Sequence, residues 1–175
     1  DRTAIVWHAA NGSRLATLTG HLAGISDIVF SPDGRRIATA SDDGTAGIWE
    51  VESGRLLASL DGSGDVMQRV LFSPNGSRVF SASRDGSLVV WDTAGGQASS
   101  RVVGRDDSTL LDAEFSPDGR RIVIGSLDGT AQIWDSNSGK LIAPLEGHTK
   151  AVNSARFSPD GTRIVTGSAD GTARV

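Results

Sequence analysis

Phe30 to Glu50 reads FSPDGRRIATASDDGTAGIWE, and close copies of that stretch begin at Phe72, Phe115 and Phe157, with its closing piece at the N-terminus. The aspartate before the second glycine turn recurs as Asp1, Asp43, Asp85, Asp128 and Asp170, at spacings of 42, 42, 43 and 42 residues. A repeat of that length belongs to the class of four-stranded propeller blades.

One copy can be read from local physics. Ser31-Pro32-Asp33-Gly34 suits a type I turn, with serine at the first position, proline fixing φ at the second and glycine at the fourth. Beyond it, Ile37, Thr39 and Ser41 alternate with the small Ala38 and Ala40, as in a strand buried on both faces, and Asp43-Gly44 makes a tight turn. Thr45 to Trp49 forms a third strand, and Glu52-Ser53-Gly54 turns the chain into a fourth over Leu56 to Leu60. These runs are too short and too β-branched for helices, and glycine separates them. The expected unit is a four-stranded antiparallel meander, and the expected fold class is all-β.

Taken in order, Gly20-His21, Phe30-Ser31-Pro32-Asp33-Gly34, Ser41-x-Asp43-Gly44-Thr45 and Ile48-Trp49 resemble the WD-repeat family, over essentially all 175 residues. The resemblance implies a β-propeller in which the first strand of each blade lines a central channel and the fourth lies outermost. About four repeats are present, as part of a seven- or eight-bladed ring. It also implies a buried hydrogen-bond network of His, Ser, Asp and Trp that joins loop, second strand, tight turn and third strand. The complete set is His21, Ser41, Asp43 and Trp49. Matching positions hold Ser83, Asp85 and Trp91, then Ser126, Asp128 and Trp134, then His148, Ser168 and Asp170, whose tryptophan is missing unless Trp7 supplies it. Ser63 and Arg105 stand in the histidine position of the second and third copies, a departure from the pattern.

The copies divide the chain into residues 1–19, the third and fourth strands of an incomplete blade, three blades over 20–61, 62–103 and 104–146, and an incomplete last blade over 147–175. This reads as a single propeller region, an excerpt of a longer propeller or an engineered portion of one. The second blade is expected to be the loosest, because Gln97 to Arg101 is nearly polar for a fourth strand; that blade also has Asn75 in place of the turn aspartate. Pro144 falls in an outermost strand, where a missing amide donor does least harm.

Composition narrows the function classes. Without cysteine the chain has no disulfide, thiolate zinc site or cysteine nucleophile. A net charge of -4 opposes generic attraction to nucleic acid or anionic membranes, and no apolar run is long enough to span a bilayer. Neither nucleic acid nor membrane is expected as a partner, and the default compartment is the cytoplasm. Asp42-Asp43-Gly44 lacks the spaced ligands and distal glutamate of a calcium loop, and the glycines close turns between strands instead of opening helices toward phosphate. No metal and no cofactor is expected.

Ser41, Asp43 and His21 supply the residue types of a hydrolase triad. The serine and aspartate recur once per blade, however, and an enzyme needs one nucleophile. Only Asp27 and Asp112 are off-pattern acids near the inner strands, and both are expected to be solvated groups lining the channel. Arg36, Arg78, Arg121 and Arg163 occupy one repeated position beside the turn acid or its Asn75 replacement, where a solvated or salt-bridged structural role is expected. The doublets Arg35-Arg36 and Arg120-Arg121 are candidates for an acidic partner.

Divergence at equivalent positions points to the working surface. Between the serine and aspartate of the tight turn the copies carry Asp42, Arg84, Leu127 and Ala169, and near the start of the inner strand they carry Ser26, Gln68, Leu111 and Asn153. These eight are expected to share one rim, and the resemblance implies that such rims bind peptides or proteins. The leading expectation is a noncatalytic interaction scaffold or sensor, with repeats that resemble those of bacterial multidomain signalling proteins, including nucleotide-hydrolysing switches and kinases. Two other classes stand beside it. One is a propeller enzyme, and the other is a self-assembling fragment whose partner is further blades or a second copy of the chain, closing a homodimeric eight-bladed ring.

Overall fold

Short β-branched runs joined by tight turns leave each strand one place to pair, beside the strand before it. The computed structural model of the chain describes residues 1–62, 64–93, 98–103 and 108–175, with the backbone alone over 98–103. β1 (Thr3–Trp7) and β2 (Arg14–Thr19) form a two-stranded sheet. β3 (Ile25–Phe30), β4 (Arg36–Ser41), β5 (Thr45–Glu50) and β6 (Leu56–Asp61) form a four-stranded one. β7 (Met67–Phe72), β8 (Arg78–Ser83), β9 (Ser87–Asp92) and β10 (Ala98–Val103) repeat it, as do β11 (Leu110–Phe115), β12 (Arg121–Ser126), β13 (Ala131–Asp135) and β14 (Leu141–Leu145). β15 (Val152–Phe157), β16 (Ile164–Ser168) and β17 (Ala173–Arg174) make a three-stranded sheet. Every pairing is antiparallel and joins strands adjacent in sequence. The fold is all-β, built of four-stranded antiparallel blades as the repeat predicts. The strands at the two ends belong to separate sheets, so they do not join within one chain to close a four-bladed ring. Ser63, Gln97, Gly104 and Arg105, and the side chains of 98–103 on which the expected looseness of the second blade rests, lie outside the described residues.

The core sits in the seams between consecutive sheets. Ala38, Ala40, Ile48 and Leu60 of the first whole blade pack on Met67, Val70 and Val79 of the second. Phe80, Leu88 and Val90 of the second pack on Ala113, Phe115 and Ile122 of the third. Two packed faces explain why β4, β8 and β12 are buried almost throughout and why their pattern is not a simple apolar-polar alternation.

Polar staples cross the same seams. Asp27 on β3 accepts a hydrogen bond from Val70 N on β7 at 3.0 Å, and Asp112 on β11 accepts one from Ala155 N on β15 at 3.0 Å. Arg69 holds the equivalent position on β7 and donates to the Leu111 carbonyl at 2.9 Å. Ser26 donates its hydroxyl to the Met67 carbonyl, and Arg156 pairs with Asp112. Asp27 and Asp112 are therefore not the solvated channel groups expected from sequence. The first strands of neighbouring sheets lie side by side, and there a short carboxylate reaches the amide of the next strand. Asp112 is only 8% exposed.

The repeated arginine is a correction of the same kind. Arg36 donates to the Gly76 carbonyl at 2.9 Å and lies over the Phe72 ring at 5.5 Å. Arg121 repeats this with Gly161 at 2.9 Å and Phe157 at 5.4 Å, while Arg78 reaches Ser136 Oγ at 3.5 Å. At Arg36 and Arg121 the guanidinium of one blade caps the first turn of the next and stacks on its aromatic ring, in place of the solvated or ion-paired role expected, whereas Arg163 is exposed.

Candidate functional site

Trp49 lies opposite Ile37 in the β4–β5 ladder, yet its indole reaches diagonally to Thr39. Gly47 makes the space, since a Cβ there would fall 2.5 Å from Trp49 Nε1. Trp49 Nε1 donates to Thr39 Oγ1 at 2.8 Å, Thr39 Oγ1 lies 2.7 Å from His21 Nε2, and His21 Nδ1 lies 3.0 Å from Asp43 Oδ2. A neutral imidazole protonated on Nδ1 gives every link one donor and one acceptor: indole to hydroxyl, hydroxyl to Nε2, and Nδ1–H to carboxylate. Asp43 also accepts from Leu22 N at 2.7 Å and from Thr45 N and Oγ1 at 2.9 and 2.6 Å. Burial pushes the Asp43 carboxyl up, but the bonds from Thr45, Leu22 and His21 outweigh it and hold the group well below the usual carboxylate range.

Ser41, the hydroxyl expected in this network, lies outside the relay. It donates to the Gly24 carbonyl at 2.9 Å and accepts from Asp43 N at 3.2 Å, tying the tight turn to the loop before β3. The bridging hydroxyl is Thr39, on the same strand face two residues earlier and directly opposite Gly47. Ser41 Oγ does not address His21, so the triad residue types form no nucleophile–base pair here.

The other copies vary this plan. Trp91 Nε1 donates to Ser81 Oγ at 2.8 Å. The third blade has Ile124 in the hydroxyl position, and Trp134 donates instead to Gln132 Oε1 at 3.1 Å, from the position that Gly47 holds in the first. Asp85 and Asp128 accept the amides of Ser87 and Thr130, each at 2.9 Å, within their tight turns. Ser83 donates to Met67 Sδ at 3.4 Å, and Ser126 is buried. In the last sheet His148 contacts Asp170 and Thr166, each at 2.9 Å, and Ser168 donates to the Lys150 carbonyl at 2.9 Å. Trp7 does not complete that set within the chain. It is 56% exposed beside Ile5, Ile28 and Phe30, while a pocket of about 550 Å³ surrounds His148 and Thr166.

One backbone bond per blade places the divergent residues. Asp42 N donates to Gly24 O at 2.8 Å, Arg84 N to Val66 O at 2.8 Å, Leu127 N to Thr109 O at 2.9 Å and Ala169 N to Ala151 O at 2.9 Å. Each tight-turn residue thus docks on the loop two residues before Ser26, Gln68, Leu111 or Asn153. Ser26, Asp42, Gln68 and Leu111 line one groove of about 360 Å³ with Val66, Arg69, Thr109 and Leu110. Among the described residues Gln68 Oε1 is buried without a hydrogen-bond partner, Asp42 is exposed, and Leu127 is 56% exposed. Arg84 pairs with Asp65 at 3.2 Å, and Ala169 and Asn153 are exposed on the last sheet.

The model of the WD domain, G-beta repeat, matches residues 12–50, 54–92, 99–135 and 139–175. The chain belongs to the WD40 family. Its WD40 unit is out of step with its blades: residues 12–50 hold β2, the last strand of one sheet, and β3 to β5, the first three of the next. Successive units therefore interlock across a seam. No curated protein sequence matches the chain. Among solved structures it is similar to the computationally designed Ika8 protein, at 27% identity and a TM-score of 0.85, over 99% of this chain and 54% of that one. It spans about half the length of that protein. Similar solved chains number 1601, so the fold alone does not single out an activity. WD40 propellers are in general noncatalytic scaffolds that bind proteins or peptides.

Proposed function

We propose that this chain is a noncatalytic interaction module that holds a peptide segment of a partner protein in the groove between Asp42, Gln68 and Leu111. The observation that carries this reading is the groove itself, about 360 Å³ lined by four of the divergent rim residues. One lining residue, Gln68, has a buried side-chain oxygen that finds no partner among the described residues, and a small shift of that side chain would present the oxygen to a ligand that brings an N–H group. Asp42 adds negative charge at one place and Arg69 positive charge at another, and Leu111 adds apolar surface. The ligand this fits is an extended segment with a basic or amide donor next to an apolar side chain. The wider setting we propose is a cytoplasmic, bacterial, multidomain signalling protein, an extension that rests on the likeness of the repeats alone.

Panning a random peptide library on the immobilised chain tests the reading. Selected peptides should bind Asp42→Lys and Gln68→Leu at least about tenfold more weakly, the loss of roughly one hydrogen bond to a charged or buried group, with the thermal midpoint unchanged. Peptides that bind both variants as well as the parent would show that the groove is not the site.

A further inference from the structure

The seam between the second and third whole blades is closed differently from the seams on either side of it. In those, Arg36 and Arg121 donate to the carbonyls of Gly76 and Gly161 and lie over the rings of Phe72 and Phe157. Arg78 holds the same position, but among the described residues it makes neither contact. The Gly119 carbonyl already accepts the Ser136 hydroxyl at 2.7 Å, and the Phe115 ring meets Phe80 edge-on, with centroids 6.4 Å apart. Phe80 stands where the flanking seams have Ala38 and Val123. The guanidinium of Arg78 is left with Ser136 Oγ at 3.5 Å, and it pairs with no carboxylate among the described residues.

The turn beside it is altered as well. Asn75 replaces the aspartate that the other copies carry as Asp33, Asp118 and Asp160. Its Oδ1 keeps the bonds of the turn, accepting from the Ser73 hydroxyl at 2.8 Å, from Ser77 N at 3.0 Å and from the Ser77 hydroxyl at 2.8 Å. Ser77 N can only donate, so oxygen must face it, and the amide nitrogen of Asn75 takes the place where an aspartate has its second carboxylate oxygen. A cavity of about 210 Å³ lies between the two blades here, lined by Asn75, Arg78, Arg120 and Asn137, with Asp118 in its wall. Asp118 spends its Oδ1 on the Ser116 hydroxyl and Arg120 N, and Asp135, which feels the Arg78 charge, spends its own on Asn137 N and Ser138 N. Two cations against one anion leave the lining net positive.

We propose that this cavity binds a tetrahedral oxyanion of the phosphate class, at the opposite end of the strands from the rim groove. Arg78 and Arg120 supply charge-assisted N–H donors, and the Asn75 amide supplies a neutral donor where an aspartate would repel the ligand. Donors from three chain positions on two blades exceed what the two oxygens of a carboxylate can use, and they suit the larger set of oxygens on a phosphate. The anion gives the Arg78 guanidinium the acceptor that Ser136 takes from it at the Gly119 carbonyl. The first blade provides the contrast, because Asp33 keeps a carboxylate in its turn and Arg36 is committed to the Gly76 carbonyl.

Titration of the chain with inorganic phosphate at about pH 7, where the anion carries most of its second charge, tests the site at constant ionic strength. NMR follows the Asn75 side-chain amide and the Arg78 Nε–H, and both signals should shift and saturate. Asn75→Asp installs the residue of the other copies and so keeps the turn, and Arg78→Gln removes only a long hydrogen bond. Each should weaken binding at least about tenfold, the loss of one charge-assisted hydrogen bond, read at the signal that the variant retains. Asp33→Asn should create no second saturating site, and one that appeared there would overturn the part assigned to an uncommitted guanidinium. O-phosphoserine distinguishes the sources of the anion: tighter binding than inorganic phosphate assigns a phosphorylated side chain of a partner, and equal or weaker binding assigns the free anion. Shifts that grow without saturating, the mark of an ion atmosphere only, overturn the proposal, as does saturation that survives both Asn75→Asp and Arg78→Gln.

Discussion

At Thr39 one oxygen serves both the Trp49 indole and the His21 imidazole. Thr39→Val keeps the shape and leaves both nitrogens unpaired in a buried site, at an expected cost of about 1–3 kcal/mol. Trp49→Ala removes the ring as well and should cost about 3–5 kcal/mol, whereas Ser41→Ala should cost about 1 kcal/mol. Urea denaturation of the three variants checks the order, and a larger loss for Ser41→Ala than for Thr39→Val would remove Thr39 from the relay. The carboxylate end makes a pH prediction. Asp43 titrates in the folded chain below its ordinary value of 3.8, so the stability it contributes is complete above that value and is lost as pH falls through the depressed folded value. The urea midpoint should hold from pH 7 to about 4 and decline at more acid pH, and Asp43→Asn should flatten the decline. Asp160, held at about 2 by the Ser158 hydroxyl and the Thr162 amide, acts in the same direction. His21, Asp43 and Trp49 could be picked from the order of residues along the chain. Thr39 could not, because Thr39 and Ser41 lie on one strand face and only the opening left by Gly47 decides which hydroxyl meets the indole.

A strand is legible from its own few residues. Ser31-Pro32-Asp33-Gly34 closes with Gly34 N on Ser31 O at 2.8 Å, and Asp43-Gly44 with Gly44 N on Ser41 O at 3.2 Å, because proline fixes φ in the first turn, aspartate bonds within its own turn and glycine adopts the positive φ each turn ends on. The seams are different. Asp27 meets Val70 and Arg36 meets Gly76 only after whole blades have stacked, so a reading confined to one repeat assigns these charges to solvent. Asp112→Ala tests the seam assignment. It leaves Ala155 N without its acceptor and removes the carboxylate that pairs with Arg156, which keeps the Ala155 carbonyl and Glu114, and should cost about 1–3 kcal/mol. Hydrogen exchange should quicken first along β15, and loss of protection confined to β11 would mean that the carboxylate does not bridge the blades. The rim follows the same logic. Asp42 and Gln68 come from different blades, and their divergence could be read in the sequence, but the groove they share could not.

Over the whole molecule, WD40 units that straddle blade boundaries make every sheet depend on its neighbour. Three tryptophans, Trp49, Trp91 and Trp134, each donate an indole N–H to a buried oxygen within their own blade. Hydrogen exchange of the indole N–H groups, followed by NMR, is the most direct test of that framework. The expected result is slow exchange at Trp49, Trp91 and Trp134, each held by a buried oxygen. Fast exchange at Trp49 in the folded chain would contradict the account.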